Sequence, residues 1–403
     1  MRIIFHADVN SAFLSWEAVR RLKNGEEDIR LFPSAIGGDS EKRKGVILAK
    51  SHIAKKFGVQ TGEPVAHALR KCPALKLYKP DFKLYSENSR LFMGILNRFS
   101  PKVEQFSIDE CFLDMTGIAT KENATKFAKS IQSAVFEELG FTINVGIGDN
   151  KVLAKTASDF EKPNKIHTLF IEEISEKLWP LPVRRLLFVG SKTEAKLKSI
   201  NIFTVGDLAH VNSDIVCRLL GNKAGIGLKN YANGIDLSEV CAHEEKPKSI
   251  SNSTTLEKDI AVLEDCFPVL LWLTDNVAMR LRQCKGRAQV VSVVARRNDF
   301  VDLNKQLSLL IPTDNTNIIY EHAKKLLKEL FFSAKPVRLL GVGVSRLSFD
   351  GLEQTSLFED PKGKKQRMAQ ETIDQIRRRF GNDTIVRAGT LKKEEQQEEP
   401  KEE

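Results

Sequence analysis

The stretch Phe106–Thr116, FSIDECFLDMT, limits what this chain can fold into more than any other. Asp109 and Glu110 stand side by side between Ser107-Ile108 and Cys111-Phe112-Leu113, which predicts a β-hairpin with the acids at its turn. Adjacent carboxylates repel and raise each other's pKa unless a cation lies between them, so the pair points to a divalent-metal site with hard oxygen ligands. An acidic dipeptide alone reads more readily as an exposed turn, and a third acid shifts the balance. The chain opens Met1-Arg2-Ile3-Ile4-Phe5-His6-Ala7-Asp8, a short apolar run of the kind that forms a buried strand, ended by Asp8. One acid at a strand end beside an acidic hairpin tip is an economical way to hold two Mg2+ ions about 4 Å apart, a spacing suited to in-line phosphoryl transfer.

At 403 residues the chain is long for one domain, and about two to four are expected. Its net charge is +9, although the last thirteen residues carry six Glu against three Lys. A basic body with an acidic tail points either to a polyanionic partner, nucleic acid or a membrane surface, or equally to a merely soluble basic protein. The six cysteines, at 72, 111, 217, 241, 266 and 284, form no CxxC pair, so reduced thiols in a cytosolic protein are expected. The opening strand is too short for a signal peptide, and the longest apolar run, Phe267–Leu273, is far below the ~20 residues that span a bilayer. A cytoplasmic location without membrane association follows as the expectation.

After Asp8 the pattern predicts a helix to about Lys23, with Phe13 on its first turn as a core aromatic or as a wall beside the acids. Residues 26–80 read as a small lobe whose short helix, about Ser51 to Lys56, ends at Gly58. Its basic residues Lys42, Arg43, Lys44, Lys50, Lys55 and Lys56 form a solvated face or face a triphosphate. A helical period over Tyr85–Phe99, the acidic hairpin, a helix through Phe127, Ile131 and Val135, and an alternating strand Ile143–Ile147 predict one sheet with helices on one face. Lys162, directly before Pro163, cannot lie deep in a helix and is free to point at an anion. Residues 166–235 read as short helices, among which the Gly190 turn before Lys192 and Thr193 either offers N–H groups to a phosphate or is an ordinary helix hairpin.

Beyond Lys246-Pro247 the periods predict strand 248–256, helix 260–284, strands 288–297 and 302–311, helix 317–332 and strand 336–347, a βαββαβ unit. Lys248, Arg296, Arg297, Lys305 and Arg346 are either its candidates for an open face that tracks a phosphate backbone or, equally, generic solubilising charges. Gln354-Thr355-Ser356-Leu357-Phe358 sets one amide and two large apolar groups among acids, as in a peptide that docks in a partner's pocket. Met368–Phe380 is a short amphipathic segment ahead of a charged tail expected to be disordered.

Taken in order, these motifs resemble the Y-family (translesion) DNA polymerases, nearest the bacterial DNA polymerase IV branch. The resemblance covers about residues 1–350: the Asp8 strand, Lys55-Lys56-Phe57-Gly58-Val59, SIDECFLD, Val145-Gly146-Ile147-Gly148, Asn150–Lys155, Lys162-Pro163-Asn164, the Gly190 turn and Lys248-Ser249-Ile250. It implies an α+β right-hand architecture. The palm would be residues 1–14 and 76–167, the fingers 15–75, the thumb with its helix-hairpin-helix 168–235, a linker 236–247, a little finger 248–348, and a tail 349–403. It further implies template-directed, low-fidelity extension of a primer by dNTPs, with Asp8, Asp109, Glu110 and the Val9 carbonyl holding two Mg2+ ions. Phe13 falls on the steric gate against ribonucleotides. Lys162, and more weakly Lys55 and His52, match positions that contact the incoming nucleotide. Gly190, Lys192 and Thr193 fall in the thumb hairpin that contacts DNA, and Gln354, Leu357 and Phe358 in a sliding-clamp peptide. Primer-template DNA, dNTPs and the clamp are the implied partners, and a monomer is expected.

Three fingers positions depart from the pattern: Ala49, His52 and Lys55 stand where relatives usually carry Thr, Tyr and Arg. Lysine supplies charge there without the bidentate geometry of arginine. Asn10 replaces a frequent acid, and Phe188 a glycine of the thumb hairpin. A catalytically silent scaffold that only binds DNA and the clamp would show a broken carboxylate trio, whereas all three acids are present. A two-metal nuclease would need neither the Phe13 gate nor the Lys162 contact.

Overall fold

The computed structural model describes residues 2–38, 45–242, 246–331, 335–349, 361–381 and 384–390. They form two compact units, the first ending at residue 242 and the second beginning at residue 246 among the described residues.

In the first unit, β1 (Ile4–Val9) is buried along its whole length and leads into α1 (Ala12–Lys23). A small lobe follows, with β2 (Ser34–Gly37) between β3 (Ile47–Lys50) and β4 (Lys76–Tyr78), plus α2 (His52–Lys56) and α3 (Val65–Lys71). The α2 helix starts where the Ser51 hydroxyl accepts the Ala54 N–H, and it ends at Gly58, whose φ of 80° favours glycine.

The chain then runs α4 (Phe82–Leu96), β5 (Val103–Gln105), β6 (Glu110–Asp114), α5 (Ala124–Leu139), β7 (Ile143–Gly148), α6 (Lys151–Ser158) and β8 (Ile166–Leu169). The sheet order is β5-β6-β1-β7-β8, with β1 antiparallel to both neighbours. Side chains alternate across a strand. Phe5, Ala7, Val9, Val145 and Ile147 therefore join Phe92, Ile131 and Val135 of α4 and α5 in the main core. Ile4, His6, Asp8 and Asn144 face the other way.

Helices were expected on one face only, yet α6 lies on the second. The reason is Gly146: a Cβ there would sit 2.0 Å from the Ala154 carbonyl oxygen and 2.3 Å from Ser158 N. Residues 236–242, the first half of the expected linker, pack on this unit, with Val240 buried against Ile4, Phe112 and Ala154. The helices α7 (Ser191–Lys198), α8 (Val205–His210), α9 (Ser213–Leu220) and α10 (Asn222–Ala232) enclose a separate core that includes Val183, Leu197, Leu208 and Val216.

The second unit has the predicted order: β9 (Ser249–Ile260), α11 (Leu263–Gln283), β10 (Arg287–Arg297), β11 (Asp302–Thr313), α12 (Thr316–Leu330) and β12 (Val337–Ser348). Its antiparallel sheet runs β11-β10-β12-β9. Leu270, Leu273 and Val277 of α11 and Ile319, Ala323 and Leu327 of α12 fill the core on one face.

The segment expected at Met368–Phe380 belongs to a longer helix, α13 (Pro361–Phe380). It is tied to α11 by Arg282–Asp374 at 2.6 Å and Arg377–Asp275 at 2.8 Å, both pairs under a tenth exposed or close to it. Among the described residues no helix is long and apolar enough to cross a membrane. All six cysteines are free thiols.

Candidate active site

Strand register builds the site. Asp8 lies directly across from Glu110 on β6 and from Asn144 on β7. The Val9 N–H donates to the Asp109 carbonyl at 3.0 Å, which ties the hairpin tip to the end of β1. Ser107 steadies the tip by donating its hydroxyl to Asp109 Oδ1 at 2.6 Å.

Asp8 is 6% exposed. Burial pushes its carboxyl up to about 6, Lys162 pulls against that, and the Glu110 and Asp109 carboxylates add to it. Lys162 donates to Asp8 Oδ2 and is paired with Asp159 at 2.7 Å. Burial works to lower the pKa of Lys162, but Asp8 and Asp159 outweigh it and hold the ammonium above its ordinary range. On α6, Lys155 donates to Glu110 Oε1 at 2.7 Å.

Behind Glu110, His6 is fully buried. Its Nδ1 is 2.8 Å from the Ser158 hydroxyl, and its Nε2, with no hydrogen-bond partner, is 3.9 Å from Glu110 Oε2. Burial, with Lys155 and Lys162 adding to it, holds that imidazole well below its usual pKa, hence neutral.

Among the described residues no three Asp, Glu, His or Cys side chains form a ready-made ligand cluster. Asp8 and Glu110 are turned onto lysines instead. The donor set nonetheless fits a hard divalent cation: three carboxylates on one strand end and one hairpin tip, one of them with its pKa raised by burial first and by the other two carboxylates second.

Phe13, on the first turn of α1, stacks face to face on the buried ring of Tyr85 with centroids 4.4 Å apart and planes 8° apart. Phe82 meets it edge-on at 6.2 Å. The ring is thereby fixed in orientation. In the small lobe, Ala49 is buried in β3, while His52 and Lys55 are exposed on α2.

Gly190 is the N-cap residue of α7 and supplies no side chain to its first turn, which carries Lys192 and Thr193. Phe188 takes the glycine position of that turn at φ 66° and is 64% exposed, beside Tyr231 at 6.0 Å.

In the second unit, Arg296 forms two hydrogen bonds to Asp302, which lies opposite it on β11, and Arg297 forms two to Asp299. Lys248 and Arg346 are exposed. Arg297 and Lys305 do not belong to the open face. Arg297 lies opposite the core residue Val337 across a bulge and is turned to Asp299 in the β10–β11 turn. Lys305 lies opposite Val293, a core residue, and pairs with Glu329 of α12 at 2.5 Å, because its place in the alternation is that of Leu303 and Leu307. Gln354, Leu357 and Phe358, with Lys42, Arg43 and Lys44, lie outside the described residues.

Sequence reasoning assigned no role to Lys155, His6, Asn144 or Tyr85. Asn144 had a signal, a lone amide inside the apolar run Ile143-Asn144-Val145.

A family model described as the impB/mucB/samB family matches residues 7–159. The model of that family's C-terminal domain matches residues 247–357, and one for the IMS family HHH motif matches 172–202. DNA polymerase IV of Clostridium acetobutylicum is 42% identical over 98% of this chain and 99% of that protein. DNA polymerase IV of Acetivibrio thermocellus is 36% identical over 96% of each, and DNA polymerase IV 1 of Bacillus subtilis 36% over 98% of this chain and 94% of its own. Among solved structures, a Y-family DNA polymerase chimera of Dbh and Dpo4 matches the fold with a TM-score of 0.77 at 24% identity, covering 86% of this chain and 99% of that one.

Proposed function

The chain belongs to the impB/mucB/samB family of Y-family DNA polymerases and is a translesion DNA polymerase; from that premise we propose that Asp8, Asp109 and Glu110 carry its nucleotidyl transfer. The observation behind this assignment is the β1–β6 register, which sets Asp8 opposite Glu110 and bonds Val9 to Asp109. Held by these acids and the Val9 carbonyl, two Mg2+ ions would acidify the primer 3′-OH and neutralise the triphosphate and leaving pyrophosphate.

The protein's own groups do the positioning. Lys162, shared between Asp8 and Asp159, contacts the triphosphate, a polyanion that offers its ammonium more charge than one carboxylate. Lys155 and the His6–Ser158 pair back Glu110. Phe13, braced by Tyr85, stands where a ribose 2′-OH would clash.

The five-stranded sheet with its helices serves as the palm, the small lobe as the fingers with His52 and Lys55 toward the nucleotide, and α7–α10 as the thumb. There Gly190, Lys192 and Thr193 meet the DNA backbone. The second unit is the little finger, with Lys248, Arg296 and Arg346 toward the duplex. Gln354, Leu357 and Phe358 dock on the sliding clamp. The enzyme acts as a monomer in the cytoplasm.

Primer extension with dNTPs and Mg2+ tests the acids. Asp109→Asn should lose about a thousandfold or more in rate, as expected when charge stabilisation at a transferring phosphoryl group is removed. Equal extension by the variant would defeat the assignment, and primer shortening without nucleotides would indicate a nuclease. In the same assay Phe13→Val should raise ribonucleotide incorporation about tenfold or more, the loss of a steric exclusion. Unchanged discrimination would remove the gate role.

A further inference from the structure

Lys162 sits in a segment, residues 161–165, whose side chains are all exposed, so no apolar anchor of its own sets its path. Beside the Val145 N–H and Gln132 Nε2, which donate to the Lys165 carbonyl at its end, two side-chain amides hold it, Asn144 of β7 and Asn10 just beyond β1. Asn144, with no exposed surface, donates from Nδ2 to the carbonyls of Ser158 at 2.9 Å and Glu161 at 2.6 Å. Its Oδ1 accepts from the Lys165 N–H at 3.2 Å and from Asn10 Nδ2 at 3.0 Å. Asn10 Oδ1 in turn accepts from the Asn164 N–H at 2.9 Å and the Thr142 hydroxyl at 3.0 Å. The pair thus grips the segment at Glu161, Asn164 and Lys165, on both sides of Lys162.

The orientation of each amide is forced by the other. Both hydrogens of Asn144 are committed to carbonyls, so only its oxygen is left for Asn10, and position 10 must present a donor there and an acceptor to Asn164. An aspartate at 10 would set oxygen against oxygen inside the sheet, whereas an amide closes the network with every polar atom paired. This accounts for the amide at position 10, and Asn144 shares its register position with Asp8, the carboxylate that Lys162 touches.

We propose that the Asn10–Asn144 pair is the positioning device for Lys162, setting how tightly the triphosphate of the incoming nucleotide is held. The proposal rests on the reading of Lys162 as the triphosphate contact. It concerns nucleotide binding and not the chemical step, since neither amide touches a reacting group.

Single-nucleotide incorporation at saturating primer-template and Mg2+ tests it through the split between KM and kcat. Asn144→Ala should raise the KM for dNTP about tenfold, the loss of about one charge-assisted contact, with kcat within about twofold. Asn10→Asp should change KM in the same direction. In a Lys162→Ala background, Asn144→Ala should add no further rise, because the residue it positions is gone.

If Lys162→Ala alone leaves KM unchanged, the reading of Lys162 fails. If Lys162→Ala raises KM but Asn144→Ala does not, or adds its full factor on top of Lys162→Ala, the positioning role is overturned. Should thermal melts show Asn144→Ala unfolded, Asn10→Asp, which keeps the side chain's size and shape, carries the same comparison to the same two outcomes.

Discussion

The two units spend charge in opposite ways. In the first, Lys162 lies on Asp8 and Lys155 on Glu110, yet Asp8 stays pushed up to about 6, because burial with two further carboxylates nearby exceeds what one lysine supplies. In the second, α13 meets α11 through arginines matched to acids, Arg282 to Asp374 and Arg377 to Asp275, all well buried, and the part-exposed Arg387, beyond the end of α13, adds a second cation to Asp275. The open face of that unit carries Arg296–Asp302, which is more exposed, while Arg297, opposite the core residue Val337 across a bulge, is turned to Asp299 in the β10–β11 turn and does not belong to that face. An under-compensated buried carboxylate invites a further cation. A matched buried pair is structural, and an exposed pair exchanges readily for another anion. Burial and balance, rather than the number of charges, separate the site from the scaffold.

The sharpest way to break this contrast is Arg377→Ala. If the α11–α13 pairs are structural, removing Arg377 leaves buried Asp275 with the part-exposed Arg387 alone and should cost about 2 kcal/mol, read from urea unfolding of the full chain. A loss below about 1 kcal/mol would put these pairs with the surface ones.

Legibility followed range along the chain. The placing of Asp8, Asp109 and Glu110 at strand ends could be read because each bounds a short apolar run, and the freedom of Lys162 to meet an anion because Pro163 follows it. The βαββαβ order of the second unit was equally plain in its periods, with ends within about four residues of those observed. Lys155, His6 and Tyr85 could not be assigned, since their partners lie 45, 152 and 72 residues away and meet them only through strand pairing, the close approach of α6 at Gly146 and, for Tyr85, the packing of α4 on α1. Lys305 failed for a related reason: a basic residue in a strand looks solvated until the register shows it opposite Val293. The docking of α13 was hidden because Asp374 and Arg377 look like any solvated charges on an amphipathic helix.

The contrast sharpens with pH. Only ionised Asp8 can accept a cation, and its carboxyl is pushed up to about 6. Mn2+ binding, followed by quenching of tryptophan fluorescence, should therefore weaken about fourfold from pH 7.5 to 5.5, as the ionised fraction falls to about a quarter. A carboxyl in its ordinary range would give almost no change over that interval. The sign for stability is the opposite one. The folded state holds this proton more tightly than the unfolded chain does, so ionising Asp8 costs the metal-free fold stability as pH rises from about 4 through about 6.

The smallest effect belongs to the exposed face. Arg296 is 38% exposed at its side chain and its partner Asp302 48%, so Arg296→Ala should change stability by less than about 1 kcal/mol. If its guanidinium exchanges Asp302 for a phosphate when DNA arrives, the variant should bind primer-template slightly more weakly at low salt. The slope of log affinity against log salt should then fall by about one phosphate contact. An unchanged slope would mean that Arg296 stays with Asp302 in the complex, and the open face would then have to grip the duplex through other residues, with Lys248 and Arg346 the next to test.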